Sequence, residues 1–96
     1  MTKQVVKELR LHENSIGNKG ANAFAAVLCT NATLQVLVLD SNSIGAEGAV
    51  AMAEALKINL TLMTLKMGGT NNVDEHSKSK LRDAVQGKKG RLRLIF

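Results

Sequence analysis

The chain says the same thing twice over. Residues 6–33 and 34–61 share Leu9/Leu37, Leu11/Leu39, Asn14/Asn42, Ser15/Ser43, Ile16/Ile44, Gly17/Gly45 and Gly20/Gly48. The match continues through Ala21/Ala49, Ala23/Ala51, Ala25/Ala53, Leu28/Leu56, Asn31/Asn59 and Thr33/Thr61. A fixed period of this size means stacked supersecondary units that cannot bury their apolar faces alone. Each unit needs neighbours, and that constraint comes before every other reading of the chain.

In the second unit, residues 34–40 alternate. Leu37 and Leu39 point to one face of a short strand, and Val38 and Asp40 point to the other. Asn42, Ile44 and Gly45 then end the strand and turn the chain. Residues 46–58 are rich in Ala and read as a helix. Ala49, Met52, Ala53 and Leu56 fall at i, i+3, i+4, i+7 and form one buried stripe, while Glu47, Glu54 and Lys57 face water. Asn59 is expected to take a left-handed conformation after the helix.

The first unit predicts a strand near residues 7–11, a turn at 14–17 and a helix over about 19–29, with the buried stripe Ala21, Phe24, Ala25, Leu28. Strand–helix–strand units this short give parallel strands and right-handed crossovers. The third unit starts in register with Leu62, Leu65 and Met67, then drifts. Thr70 stands where the Asn is expected, and Leu81 and Val85 align with Met52 and Leu56 only after a shift of one residue. A fourth strand over residues 91–96 should set Leu94 and Phe96 in the Leu37 and Leu39 layers. The polar helix that begins near Asp74 reads as a cap, because terminal repeats close the core against water.

The pattern L-x-x-L-x-L-x-x-N-x-I-G, followed by x-x-G-A and an Ala/Leu helix, resembles the leucine-rich repeat. Its 28-residue length and long helix are similar to the ribonuclease-inhibitor-like subclass, as in ribonuclease inhibitors, cytosolic nucleotide-binding innate sensors and Ran GTPase-activating proteins. The resemblance implies an α/β leucine-rich repeat solenoid, a right-handed horseshoe segment of about three repeats plus a terminal strand. One domain over residues 1–96 is expected, with repeats near 6–33, 34–61 and 62–90 and the strand at 91–96. It also implies that the Asn at 14 and 42 hydrogen-bonds backbone inside the turn.

Composition narrows the function. Of the net charge of +5, residues 1–70 hold six Lys/Arg against five acids, and residues 71–96 hold seven against three. The basic character therefore sits at the C-terminal end. That cluster has no aromatic interleaving and no Gly-rich phosphate loop, so nucleic acid is not an expected partner. No run nears the ~20 apolar residues of a membrane span, and no secretory signal is legible, so neither a membrane nor an export route is expected. Cys29 is the only cysteine, which fits a reducing, cytoplasmic setting.

The resemblance implies a non-catalytic module that binds a protein on the strand-lined concave face. Alternatives are a GTPase-activating-type regulator, or a structural C-terminal capping fragment of a larger leucine-rich repeat protein. Residues that alternate away from the core on the strands should meet the partner: Glu8, Arg10, His12, Glu13, Val36, Val38, Asp40, Lys66 and Arg93. Parallel register sets His12 beside Asp40 and lines up Arg10, Val38, Lys66 and Ile95 in a row. His12, Asp40 and Ser41 superficially suggest a hydrolytic triad, but no strained nucleophile turn or oxyanion site accompanies them. No catalytic, cofactor-binding or metal residue is assigned, since His12, His76 and Cys29 lack ligand spacing. Val5 and Val6, on an apolar first strand, suggest self-association through an exposed edge. Asp40 faces out, so its loss is expected to cost under about 0.5 kcal/mol.

Overall fold

The computed structural model describes residues 6–69, 71–88 and 90–96. Strand and helix alternate: β1 (Glu8–Arg10), α1 (Gly17–Leu28), β2 (Val36–Val38), α2 (Ala46–Ile58), β3 (Thr64–Lys66), α3 (Glu75–Gln86) and β4 (Arg93–Ile95). The four strands make one parallel sheet in chain order. Helices α1, α2 and α3 pack side by side along it. Val5 lies outside the described residues.

Register follows the repeat. Leu9 pairs with Leu37, Leu37 with Leu65, and Leu65 with Leu94. The first two steps equal the repeat period and the third exceeds it by one, so unit three carries the extra residue that its helix spacing required. Leu37, Leu39, Leu65 and Met67 are fully buried against Ala49, Met52, Ala53 and Leu56 of α2. Each three-residue strand is too short to stand alone; burial of its alternating leucines under a helix holds it in place. Gly48 is required by the close approach of α2 to α1 and to its own entry turn. A Cβ there would lie 2.8 Å from the Ala21 Cβ and 2.9 Å from the Ile44 side chain.

Asparagines stitch each unit to the one before it. Asn42 is fully buried. Its Oδ1 accepts from the N–H groups of Asn14 (2.8 Å) and Ile16 (3.3 Å), and its Nδ2 donates to Leu11 O (2.7 Å) and Asp40 O (3.1 Å). In unit three this role falls to Asn71, one residue beyond the expected Thr70, which lies outside the described residues. Asn71 Oδ1 accepts from Asn42 N and Ile44 N, and its Nδ2 donates to Leu39 O at 2.8 Å. The extra residue is thus taken up before the asparagine. Asn14 is exposed, and its side chain donates locally, to His12 O.

A second row runs along the helix exits. Asn59 Nδ2 donates to Leu28 O (2.9 Å) and Asn31 O (3.1 Å), while its Oδ1 accepts from Thr61 N and Leu62 N. Its backbone is extended, with φ −68° and ψ 133°, not left-handed as the sequence suggested. The side chain fastens the exit, so no unusual backbone conformation is needed. At the corresponding place in unit three stands Lys88, whose Nζ donates to Asn59 O at 2.7 Å. Desolvation first, and the Arg91 charge second, push the Lys88 amine below its usual pKa.

One helix start is capped from the neighbouring unit, and one chain end differs from expectation. Helix α2 begins at Gly45 without a cap of its own; Asn18 of α1 caps it across the stack, its Oδ1 accepting from Gly45 N (2.8 Å) and Gly48 N (3.0 Å). Phe96 does not join the Leu39 layer. It stays 38% exposed, with Lys78 Nζ 5.4 Å and the Arg82 guanidinium 5.5 Å from its ring centre. Both cations belong to α3, so the ring turns toward the cap helix. No helix among the described residues is long and apolar enough to cross a membrane.

These contacts rank the substitutions. Leu39→Ala should cost ~2–5 kcal/mol by opening a cavity, and Asn42→Ala about 2–3 kcal/mol by stranding backbone groups in the turn. Asn14→Ala, the same change at an exposed position, should stay within about 0.5 kcal/mol. Urea denaturation of the three variants checks the order.

Helix α3 is capped by Asp74, whose carboxylate accepts from Ser77 N at 2.8 Å. The Ser77 side chain first, and its backbone N–H second, hold the Asp74 pKa below its ordinary 3.8, although only the N–H bond has hydrogen-bond geometry and Ser77 Oγ has no partner. A carboxyl depressed in the folded state adds stability above its unfolded pKa and loses it as pH falls through the folded value. Acid should therefore loosen the first turn of α3, read as a titrating Ser77 amide shift. Asp74→Asn keeps a capping oxygen without the titration and should abolish that shift.

Candidate protein-binding surface

Residues that alternate away from the leucine layer form two rows across the sheet. Glu8, Val36, Thr64 and Arg93 make the first, and Arg10, Val38, Lys66 and Ile95 the second. Beyond the strands the ladder continues through Leu11 N to Val38 O (2.8 Å) and Glu13 N to Asp40 O (2.9 Å), which sets His12 alongside Asp40. Both juxtapositions read from the sequence are present.

Over the second row lies an open depression of about 350 Å³. It gathers Arg10, His12, Glu13, Val38, Asp40 and Lys66 from the expected contacts, together with Ser41 and Gly69, which the repeat also places on the inner face. Glu8, Val36 and Arg93 sit in the first row, outside it. Val38 is only 4% exposed, so it forms a covered aliphatic floor between the stems of Arg10 and Lys66 and offers a partner little surface. That corrects its expected place as a contact residue.

The rim charges are mostly answered within the protein. Arg10 donates to Glu8 Oε1 through Nη2 (2.6 Å) and Nε (3.1 Å). Lys66 Nζ lies 3.8 Å from Asp40 Oδ2, and the other Asp40 oxygen accepts from Gly68 N at 2.8 Å. Asp40 therefore does not merely face out; it joins units two and three. Exposed pairs of this kind add little stability but fix where charge is presented.

Strand exits build one side of the depression by an unusual backbone. Glu13 (φ 60°) and Ser41 (φ 57°) are left-handed at equivalent positions, and so are Ser15 (52°) and Ser43 (58°). Gly69, at the matching place in unit three, has φ 72°. Such conformations cost a non-glycine residue roughly 1–2 kcal/mol and persist only where the surroundings over-determine them. Here the Asn42 and Asn71 side chains hold the turn. The repeated Asn signalled the turn; no residue type announced a left-handed Glu or Ser.

The sequence pattern of the leucine-rich repeat family matches residues 2–25 and 30–53, half of the chain, and the chain belongs to that family. Among solved structures it is similar to leiomodin-1 actin-binding site 2, with TM-score 0.85 and 27% identity over 94% of this chain and 53% of that one. The tropomodulin C-terminal domain of Caenorhabditis elegans shares the fold at TM-score 0.80 and 12% identity, over 93% of this chain and 53% of that one. This chain thus spans about half the length of the structures it matches. No curated protein matches it by sequence.

Asp40→Ala should cost about 1–2 kcal/mol, because it leaves the Gly68 N–H without its charged acceptor. Lys66→Ala should cost under about 0.5 kcal/mol, as an exposed ion pair does. Equal melting shifts for the two would show that Asp40 acts only through the salt bridge.

Proposed function

We propose that this chain is a non-catalytic protein-interaction module that receives its partner on the strand-lined face, over the depression between Arg10 and Lys66. The observation that carries this reading is the convergence of six expected residues, drawn from three successive units, on one ion-pair-rimmed depression with an aliphatic floor. Residues 1–96 are read as one domain of three repeats and a strand, with units of the ribonuclease-inhibitor-like kind; the 28-residue period and the 12- and 13-residue helices support it. A cytoplasmic setting is part of the same reading.

Likeness to leiomodin-1 actin-binding site 2 makes actin the first partner to test. Co-sedimentation with actin filaments and titration of monomeric actin should show binding. Arg10→Glu and Lys66→Glu should each weaken it at least about tenfold, a difference of about 1.4 kcal/mol. Lys19→Glu, on the helix side, should leave it unchanged. Absence of binding removes actin as the partner, and binding that survives both reversals removes this face. In the same runs, the chain alone against Val6→Lys tests self-association through the β1 edge, where Val6 is exposed. A stimulated GTP-hydrolysis assay separates the module from a GTPase-activating regulator.

A further inference from the structure

We propose that the loop between α2 and β3, with the basic residues that brace it, docks this protein on the surface of an anionic lipid bilayer. The site lies at the helix exits, outside the strand-lined depression; it shares with the strand-lined face only Arg93 of the first row and does not depend on the partner proposed there.

Comparison within the chain isolates the feature. Where unit one has Thr30, Ala32 and Gln35, unit two has Ile58, Leu60 and Met63. These three are 58%, 76% and 46% exposed. Unit two has a neighbour on either side, and both leave these side chains uncovered. Stacking therefore does not account for them. Scattered single apolar residues need no explanation, but here three exposed ones fall within six residues, from the last residue of α2 to the start of β3.

The loop is held rigid, and cations hold it. Lys88 Nζ donates to Asn59 O, and the Arg91 guanidinium donates to Leu60 O and Leu62 O. Arg93 pairs its backbone N–H with Met63 O at 2.8 Å, and its side chain is exposed. Residues 84–96 contain no Asp or Glu. Among the described residues the ion pairs reach Arg10, Lys57, Lys66, Lys78 and Arg82, and none reaches Lys88, Arg91 or Arg93. Burial first and the neighbouring Arg91 charge second lower the Lys88 amine, so two cations stand side by side at this edge.

Projecting aliphatic side chains beside uncompensated cations suit the interface of a bilayer. Acyl chains accept the apolar groups while anionic headgroups meet the charge. An acidic protein supplies the same charge but must also offer a pocket shaped for the knobs. Leu60, the most exposed large apolar side chain among the described residues, stands out from the loop and is not part of the strand-face depression. Nor does the patch hold an aromatic of the kind that dominates protein hot spots. Shape and composition thus favour lipid.

Vesicle sedimentation tests the proposal, using phosphatidylcholine alone against phosphatidylcholine with phosphatidylserine. The chain has neither Trp nor Tyr, so Leu60→Trp supplies a single fluorescent reporter. The native chain should pellet with the anionic vesicles only, be released by salt, and show a blue shift in the Leu60→Trp variant. Leu60→Ser and Ile58→Ser should each lower partitioning about tenfold, and Arg93→Gln by several-fold. Lys19→Gln should bind as native, and far-UV circular dichroism should show every variant folded. No pelleting with anionic vesicles overturns the proposal. So does binding that Leu60→Ser and Ile58→Ser leave intact, or equal binding to soluble polyglutamate without a blue shift, which would assign the patch to acidic protein.

Discussion

Everything in this solenoid depends on how the backbone polar groups at the strand exits are satisfied. Strands of three residues leave most turn amides and carbonyls without ladder partners. Asn42 and Asn71 answer them with one side chain per unit, accepting from two N–H groups of the preceding unit and donating to its strand-exit carbonyl. A side chain with both a donor and an acceptor is needed, and it must be short enough to stay in the turn. Leu in that place would orphan all of these groups, and the single hydroxyl of Ser, on a shorter stem, could not serve the amides and the carbonyls together. The same bonds hold Glu13 and Ser41 in left-handed conformations, and those residues line the depression. Stability of the stack and shape of the candidate site share one cause.

That cause is readable because it repeats. Asn42, the leucine layer, the α2 stripe and the cross-strand rows all follow from two copies of one pattern. The sequence misleads where a residue acts across units or where the pattern breaks. Asn18 sits just past the turn of its own unit, yet it caps α2, 27 residues on. Val38 alternates outward, between Arg10 and Lys66 in the row, yet is buried, which strand periodicity does not reveal. Asn71 is hidden by an insertion whose place spacing alone does not fix. Asn59 suggests a special backbone conformation, when its work is done by the side chain.

Function is less legible than fold for a related reason. Core positions answer to packing, which period and size reveal, whereas the rim answers to a partner that the chain does not contain. Glu8 binds Arg10 and Asp40 binds Lys66, so the depression presents paired charge in place of a field of one sign. Such a surface selects by geometry: a partner must replace each internal pair with contacts equally well placed, or forfeit their electrostatics.

Where unit three abandons the repeat, it changes chemistry as well as length. Lys88 stands at the Asn59 position and Arg91 at the Leu62 position, each displaced by the longer step of the last unit. The first replaces a neutral amide that stitches to the previous unit, and the second an aliphatic side chain that fills the core. Both cations still reach back, through Asn59 O and Leu60 O. A carbonyl accepts a hydrogen bond but does not neutralise an ammonium or guanidinium, so these contacts fasten the cap without cancelling its charge. An acid-free segment beside Ile58, Leu60 and Met63 keeps that charge at the edge where the apolar side chains emerge. Closing the stack with cations in place of asparagine and leucine thus turns the end of the core into a charged surface.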